Sequence, residues 1–151
     1  MFEKFKMAFS SARPRRISGR TVDEQVAVCA ILLEVAEADS NFAPEEREEI
    51  LNGLGKHFEL SRPNVEKLVA EAEAERAASA DLWPFTHSIS RSYTKEQKLD
   101  VLTLVWQVIL ADGVLDPYEE QLARRLQSML SVNQSLMQEG KRLARENMAR
   151  R

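Results

Sequence analysis

Two groups of carboxylates stand where their spacing can do chemistry. Asp39 and Glu46 form one, and Asp112, Asp116, Glu119 and Glu120 form the other, with Asp39 to Glu46 and Asp112 to Glu119 sharing one interval. Hard oxygen donors gathered across a sharp loop suit a divalent cation such as Ca²⁺, Mg²⁺ or Mn²⁺. The spacing is not that of an EF-hand: with Asp112 in first place, Pro117 takes the glycine position and Ala123 that of the bidentate glutamate. The second group is the better candidate. Where it has Gly113, Asp116 and Glu120, the first has Ser40, Ala43 and Arg47, and the Arg47 guanidinium neutralises charge that a cation needs.

The same acids also read as helix caps. Asp116, Pro117 and Glu119 supply an N-cap acceptor, a proline at the first helical position and a capping-box glutamate at the third, a helix start that requires no metal. Asp39 and Asp112 close their helices, where the macrodipole disfavours a carboxylate by a few tenths to about 1 kcal/mol. Backbone N–H groups of the following loop can offset that penalty, so the spacing leaves capping and cation binding both open. Glu45, Glu48 and Glu49 continue the acidic run, and the expected place for such a run is a solvated face favoured by the helix dipole.

Other chemistry is poorly provided for. His57 and His87 are solitary, without the paired spacing that zinc requires, and are expected at the surface or packed. Cys29 lies in the apolar run 26–33, where a thiol behaves as a small hydrophobe. There is no glycine-rich phosphate loop, nucleophile elbow or plausible Ser-His-Asp set, so the expectation is a protein that is not an enzyme. Trp83, Phe85, Tyr93 and Trp106 fall on segments with apolar stripes and are expected in the core.

The elements that must position the acids repeat. Capping boxes begin at Thr21 (with Glu24) and Thr94 (with Gln97), an offset of 94 − 21 = 73. At that offset Val26, Val28, Ile31, Leu32 and Val35 face Leu99, Val101, Leu104, Val105 and Val108, and Asp39, Pro44 and Glu46 face Asp112, Pro117 and Glu119. Such self-similarity indicates an internal duplication, with copies at about 21–78 and 94–149. Segments 26–35 and 101–111 are apolar nearly all round, which predicts two buried central helices. Each is followed by a loop, a helix opening at Pro44 or Pro117, and a third helix. The third helices span about 63–78, with Val65, Leu68, Val69 and Ala72 inward, and about 133–149, with Leu136, Met137, Leu143 and Met148 inward. A linking helix opens at Asp81 and carries Trp83, Phe85 and Ile89. No alternating β-branched run occurs, so the class is all-α, about seven helices in two repeats.

The 151 residues, 44% hydrophobic and 30% charged, suit one globular domain, taken as 21–151 after a basic segment 1–20. The net charge of −3 conceals a segregation: +5 over 1–20 and +3 over 133–151 leave −11 for 21–132. So acidic a body repels phosphate backbones, and no nucleic-acid partner is expected. Phe2, Phe5 and Phe9 beside Lys4 and Lys6 form a basic amphipathic stretch that can touch an anionic membrane or a protein partner, or dock on the bundle. Without a secretory signal or a membrane-length apolar run, the expected location is cytoplasmic.

The strings EVAEAD (34–39) with PEE (44–46), and VILADGVLDPYEE (108–120), resemble the acidic signature of the TerB family, the tellurite-resistance B-like proteins. The resemblance covers about residues 20–145, with the second copy the closer match. It implies an all-α fold with two buried central helices, a non-enzymatic role in bacterial stress response, and a metal cation as the partner of the signature acids.

Overall fold

The computed structural model describes residues 23–38, 44–111 and 117–150. They form seven helices: α1 (Glu24–Ala36), α2 (Pro44–Phe58), α3 (Arg62–Ala78), α4 (Trp83–Ser92), α5 (Lys95–Leu110), α6 (Pro117–Met129) and α7 (Gln134–Ala149). No strand occurs among the described residues, so the class is all-α, as expected. The basic segment 1–20 with its phenylalanines lies outside them.

Two helices are central. From 26 to 36 every residue of α1 except Glu34 is buried, and so is every residue of α5 from 101 to 109. Having no polar face, each must be surrounded. Accordingly α1 packs on α2, α3, α4, α5 and α6, and α5 packs on α1, α2, α6 and α7. Complete burial of one Val, Leu or Ile contributes about 1.5–3 kcal/mol, so these two apolar segments supply much of the drive to fold.

Local chemistry sets the helix ends. The box expected from Thr94 is formed: the Gln97 N–H donates to Thr94 Oγ1 at 3.1 Å, and the Thr94 N–H donates to Gln97 Oε1 at 2.9 Å. At α1 the expectation fails. The N-cap is Asp23, whose Oδ1 accepts the Gln25 N–H at 2.8 Å, and Thr21 lies outside the described residues. Asp caps at least as well as Thr and stands nearer the apolar run. Likewise α4 opens at Trp83 and not at Asp81, whose carboxylate accepts the Trp83 N–H at 2.9 Å from just outside. Both proline-led helices, α2 and α6, end on a left-handed residue, Glu59 (φ 53°) and Ser131 (φ 60°). The next N–H then reaches back five residues, Leu60 to the Gly55 carbonyl at 3.0 Å and Val132 to the Gln127 carbonyl at 3.1 Å.

The inward stripe of α3 is as expected, with Val65, Leu68, Val69 and Ala72 all buried. On α7 the expectation needs correcting: Leu136 and Met137 are buried, but Leu143 and Met148 are only partly so, and Gly140 and Ala144 face the core. The cause is close approach, since a Cβ at Gly140 would stand 3.0 Å from Leu102 Cβ on α5. Phe85, Tyr93 and Trp106 are in the core, whereas Trp83 is 56% exposed. Two residues before Phe85, Trp83 falls on the opposite side of α4 and stacks on His87 at 4.2 Å between centroids. No described helix is long and apolar enough to cross a membrane.

Candidate functional site

Of the six candidate ligands, Asp39, Asp112 and Asp116 lie outside the described residues, as does the side chain of Glu119. Glu120 is half-buried on α6. Glu46, in the first turn of α2 directly behind residues 39–43, is 0% exposed. Among the described residues no three His, Cys, Asp or Glu side chains gather as a metal group.

The register of α2 explains the burial of Glu46. Glu46, Glu49, Ile50 and Gly53 recur at the spacing of one helical face, and all four are buried, while Glu45, Arg47 and Glu48 are exposed. The expectation that the acidic run is a solvated face therefore holds for Glu45 and Glu48 and fails for Glu49, which is 5% exposed. A buried carboxylate needs hydrogen-bond donors. Gln107 Nε2 donates to Glu49 Oε2 at 2.8 Å, and Asn147 Nδ2 donates to Gln107 Oε1 at 2.9 Å. This chain ties α2 through α5 to α7. Sequence reasoning missed it, although two signals were present: Gln107 interrupts an apolar run, and Glu49 shares the face of Ile50.

The C-terminal end of α1, where the first acidic loop begins, is also charged. Glu34 accepts from Arg76 of α3, with Nε at 2.8 Å from Oε1. At Glu37 burial pushes the carboxyl above its usual range, Glu34 and Glu73 push the same way, and Arg76 opposes them. Glu34, Glu37 and Glu73 thus lie close enough to act on one another, with Arg76 beside them.

Two groups with nucleophilic or ligating potential are structural. Burial pushes the Cys29 thiol well up, so it is not a thiolate at neutral pH. Burial, reinforced by Lys56, pushes His57 down to about 4, leaving the imidazole neutral at pH 7.

No curated protein and no solved structure matches the chain. Residues 25–141 match the family described as Tellurite resistance protein TerB. That span runs from the first turn of α1 into α7, taking in both acidic loops and both central helices. The chain belongs to the TerB family.

Proposed function

We propose that this protein is a non-enzymatic cytoplasmic module of bacterial stress response, of the tellurite-resistance type, whose acidic loops hold a divalent cation. The observation that carries the reading is Glu46, a carboxylate wholly withdrawn from water in the first turn of α2. An acid so buried at a helix N-terminus sits in a field that favours its charged form, the form that ligates a cation. The donor set is all oxygen, which fits Ca²⁺, Mg²⁺ or Mn²⁺ and not zinc. Asp39 would join Glu46 in the first loop, and Asp112, Asp116, Glu119 and Glu120 would form the second, fuller set.

Calorimetric titration of the full chain with each cation tests this directly. Saturable binding is expected, with a gain of about 2.7 kcal/mol in stability at a hundredfold excess over Kd. Asp112→Asn should weaken it further than Glu46→Gln does, because the second loop is richer in ligands. No heat and an unmoved melting temperature at millimolar metal would sink the reading.

Exposed aromatics favour a second reading, a protein-interaction adapter in which the acids only cap helices. Trp83 on α4 is 56% exposed and Tyr118 on α6 is 67% exposed, and these two helices pack on each other. Large exposed aromatic rings are enriched at binding surfaces. In that case Trp83→Ala abolishes recovery of a protein partner in a pull-down, and Asp112→Asn lowers stability without affecting recovery.

A further inference from the structure

Among the described residues two large apolar side chains stand exposed, Trp83 on α4 and Tyr118 on α6. Trp83 and His87 are one turn apart and stack at 4.2 Å with their planes 14° from parallel, so the indole is held in place although it faces water. Ser90 continues the same stripe at the next turn. Its Oγ donates to the Oγ of Ser131, two residues beyond the end of α6, at 3.2 Å. The aromatic stripe of α4 therefore borders α6, and the C-terminal ends of these two packed helices lie together. Connectivity agrees: α4 ends with Ser92 against Glu24 at the start of α1, so α5 sets out from that end and α6 returns towards it. Trp83 and Tyr118, each at the start of its helix, thus lie towards the same end of one face.

The charge of this face is opposite to that of the body. On α4 there is Arg91 and no carboxylate, and on α6 Arg125 shares a face with Tyr118, seven residues before it. Both arginines are exposed, and neither is in an ion pair with a described residue. Trp, Tyr and Arg are the residues on which binding energy concentrates at interfaces, and the stack on His87 lowers the entropy that Trp83 loses on binding. A nucleic acid or an anionic membrane carries negative charge well beyond this strip and would meet the carboxylates of the surrounding body, whereas a short acidic peptide fits within it. The helical rise from Trp83 to Arg91 is about 12 Å, and that from Tyr118 to Arg125 about 10 Å. An extended peptide covers such a length in three to four residues, at about 3.3–3.6 Å each.

We propose that the α4–α6 face docks an acidic peptide segment of a partner protein, with an apolar side chain against Trp83 and Tyr118 and carboxylates three or four residues further on against Arg91 and Arg125. The proposal rests on the adapter reading and names the chemistry of its partner.

The probe is the end-capped pentapeptide Leu-Gly-Ser-Glu-Glu, titrated into the isotope-labelled full chain. Saturable shifts are expected at the Trp83 indole N–H, at Tyr118 and along 87–91. The isosteric Leu-Gly-Ser-Gln-Gln should bind about 10-fold more weakly. Arg91→Ala combined with Arg125→Ala, both at exposed positions, should give a similar loss with an unchanged melting temperature. Arg125→Glu should turn the preference towards Leu-Gly-Ser-Lys-Lys, which an effect on folding would not do. The proposal is overturned if the acidic peptide fails to saturate at millimolar concentration or if the glutamine peptide binds as tightly. It is overturned equally if a DNA oligomer or phosphatidylserine vesicles occupy the face more tightly than the peptide, or if sedimentation shows the chain self-associating through Trp83. Should Trp83→Ala abolish recovery of a protein partner while the double arginine variant leaves it intact, the adapter reading stands and the acidic chemistry of the partner falls.

Discussion

Glu49, Gln107 and Asn147 form a chain in which each member depends on the next. Replacing Gln107 by Leu removes the amide donor from a buried carboxylate, and hydrogen bonds to charged groups contribute about 1.5–3 kcal/mol. The expected loss is therefore about 2 kcal/mol, read as a lower midpoint in urea. Glu49→Leu with Gln107→Leu should cost less than the two single changes together, because the second change removes the group that the first left stranded. Additive losses would mean that the 2.8 Å contact carries no coupling. Only part of this was legible beforehand. Asp39 and Glu46 stood out by type and repetition, but that Glu46 and Glu49 both turn inward depends on the rotation of α2, which Ile50, Gly53 and Leu54 set by packing. Composition alone places acids outside, and here the helical register overrides it.

At the scale of elements, α7 approaches α5 so closely that an added side chain meets backbone. Gly140 is buried there, and an added Cβ would lie 3.0 Å from Leu102 Cβ, 3.3 Å from the Leu102 carbonyl carbon and 3.4 Å from the Thr103 nitrogen. Alanine is the better helix former by about 1 kcal/mol, whereas overpacking a core costs about 1–3 kcal/mol. Since backbone atoms cannot turn aside, the clash wins, and Gly140→Ala is expected to lower stability by about 1 kcal/mol. Gly53→Ala is the contrasting case: its 2.7 Å neighbour is the tip of the Leu104 side chain, which can change rotamer. Denaturant melts of the two variants check the argument, and a stabilised Gly140→Ala would refute it. Helix existence was legible from the capping box and apolar run of α5 and from the apolar stripe of α3. On α7 Leu136 and Met137 were legible as inward, but Gly140 and Ala144 were not, because their burial is set by how closely two helices approach, a distance that no hydrophobic pattern encodes.

For the whole molecule the governing quantity is charge. The net of −3 divides into +5 over 1–20, −11 over 21–132 and +3 over 133–151; because α7 belongs to the last of these, the helical body from 21 onward carries −11 + 3 = −8, still an excess of one sign. Folding brings those carboxylates together and raises their mutual repulsion. Opposing this are ion pairs such as Arg62 with Glu48 and Glu66, and Arg142 with Glu139 and Glu146, all at substantially exposed positions. Exposed pairs contribute about 0–1 kcal/mol each and are screened by salt. The repulsion is longer in range, and the Debye length falls from about 30 Å at 0.01 M to about 10 Å at 0.1 M salt. Over that interval the loss of repulsion should exceed the loss of the pairs. The melting temperature is therefore expected to rise with sodium chloride between those concentrations, by roughly 2–4 °C for about 1 kcal/mol. Potassium chloride should act equally, because screening does not distinguish the ions, whereas a bound divalent cation should raise the melting temperature far more at far lower concentration. A melting temperature that falls as monovalent salt is added would show that local ion pairs, and not the acidic excess of the body, dominate the electrostatics of the fold.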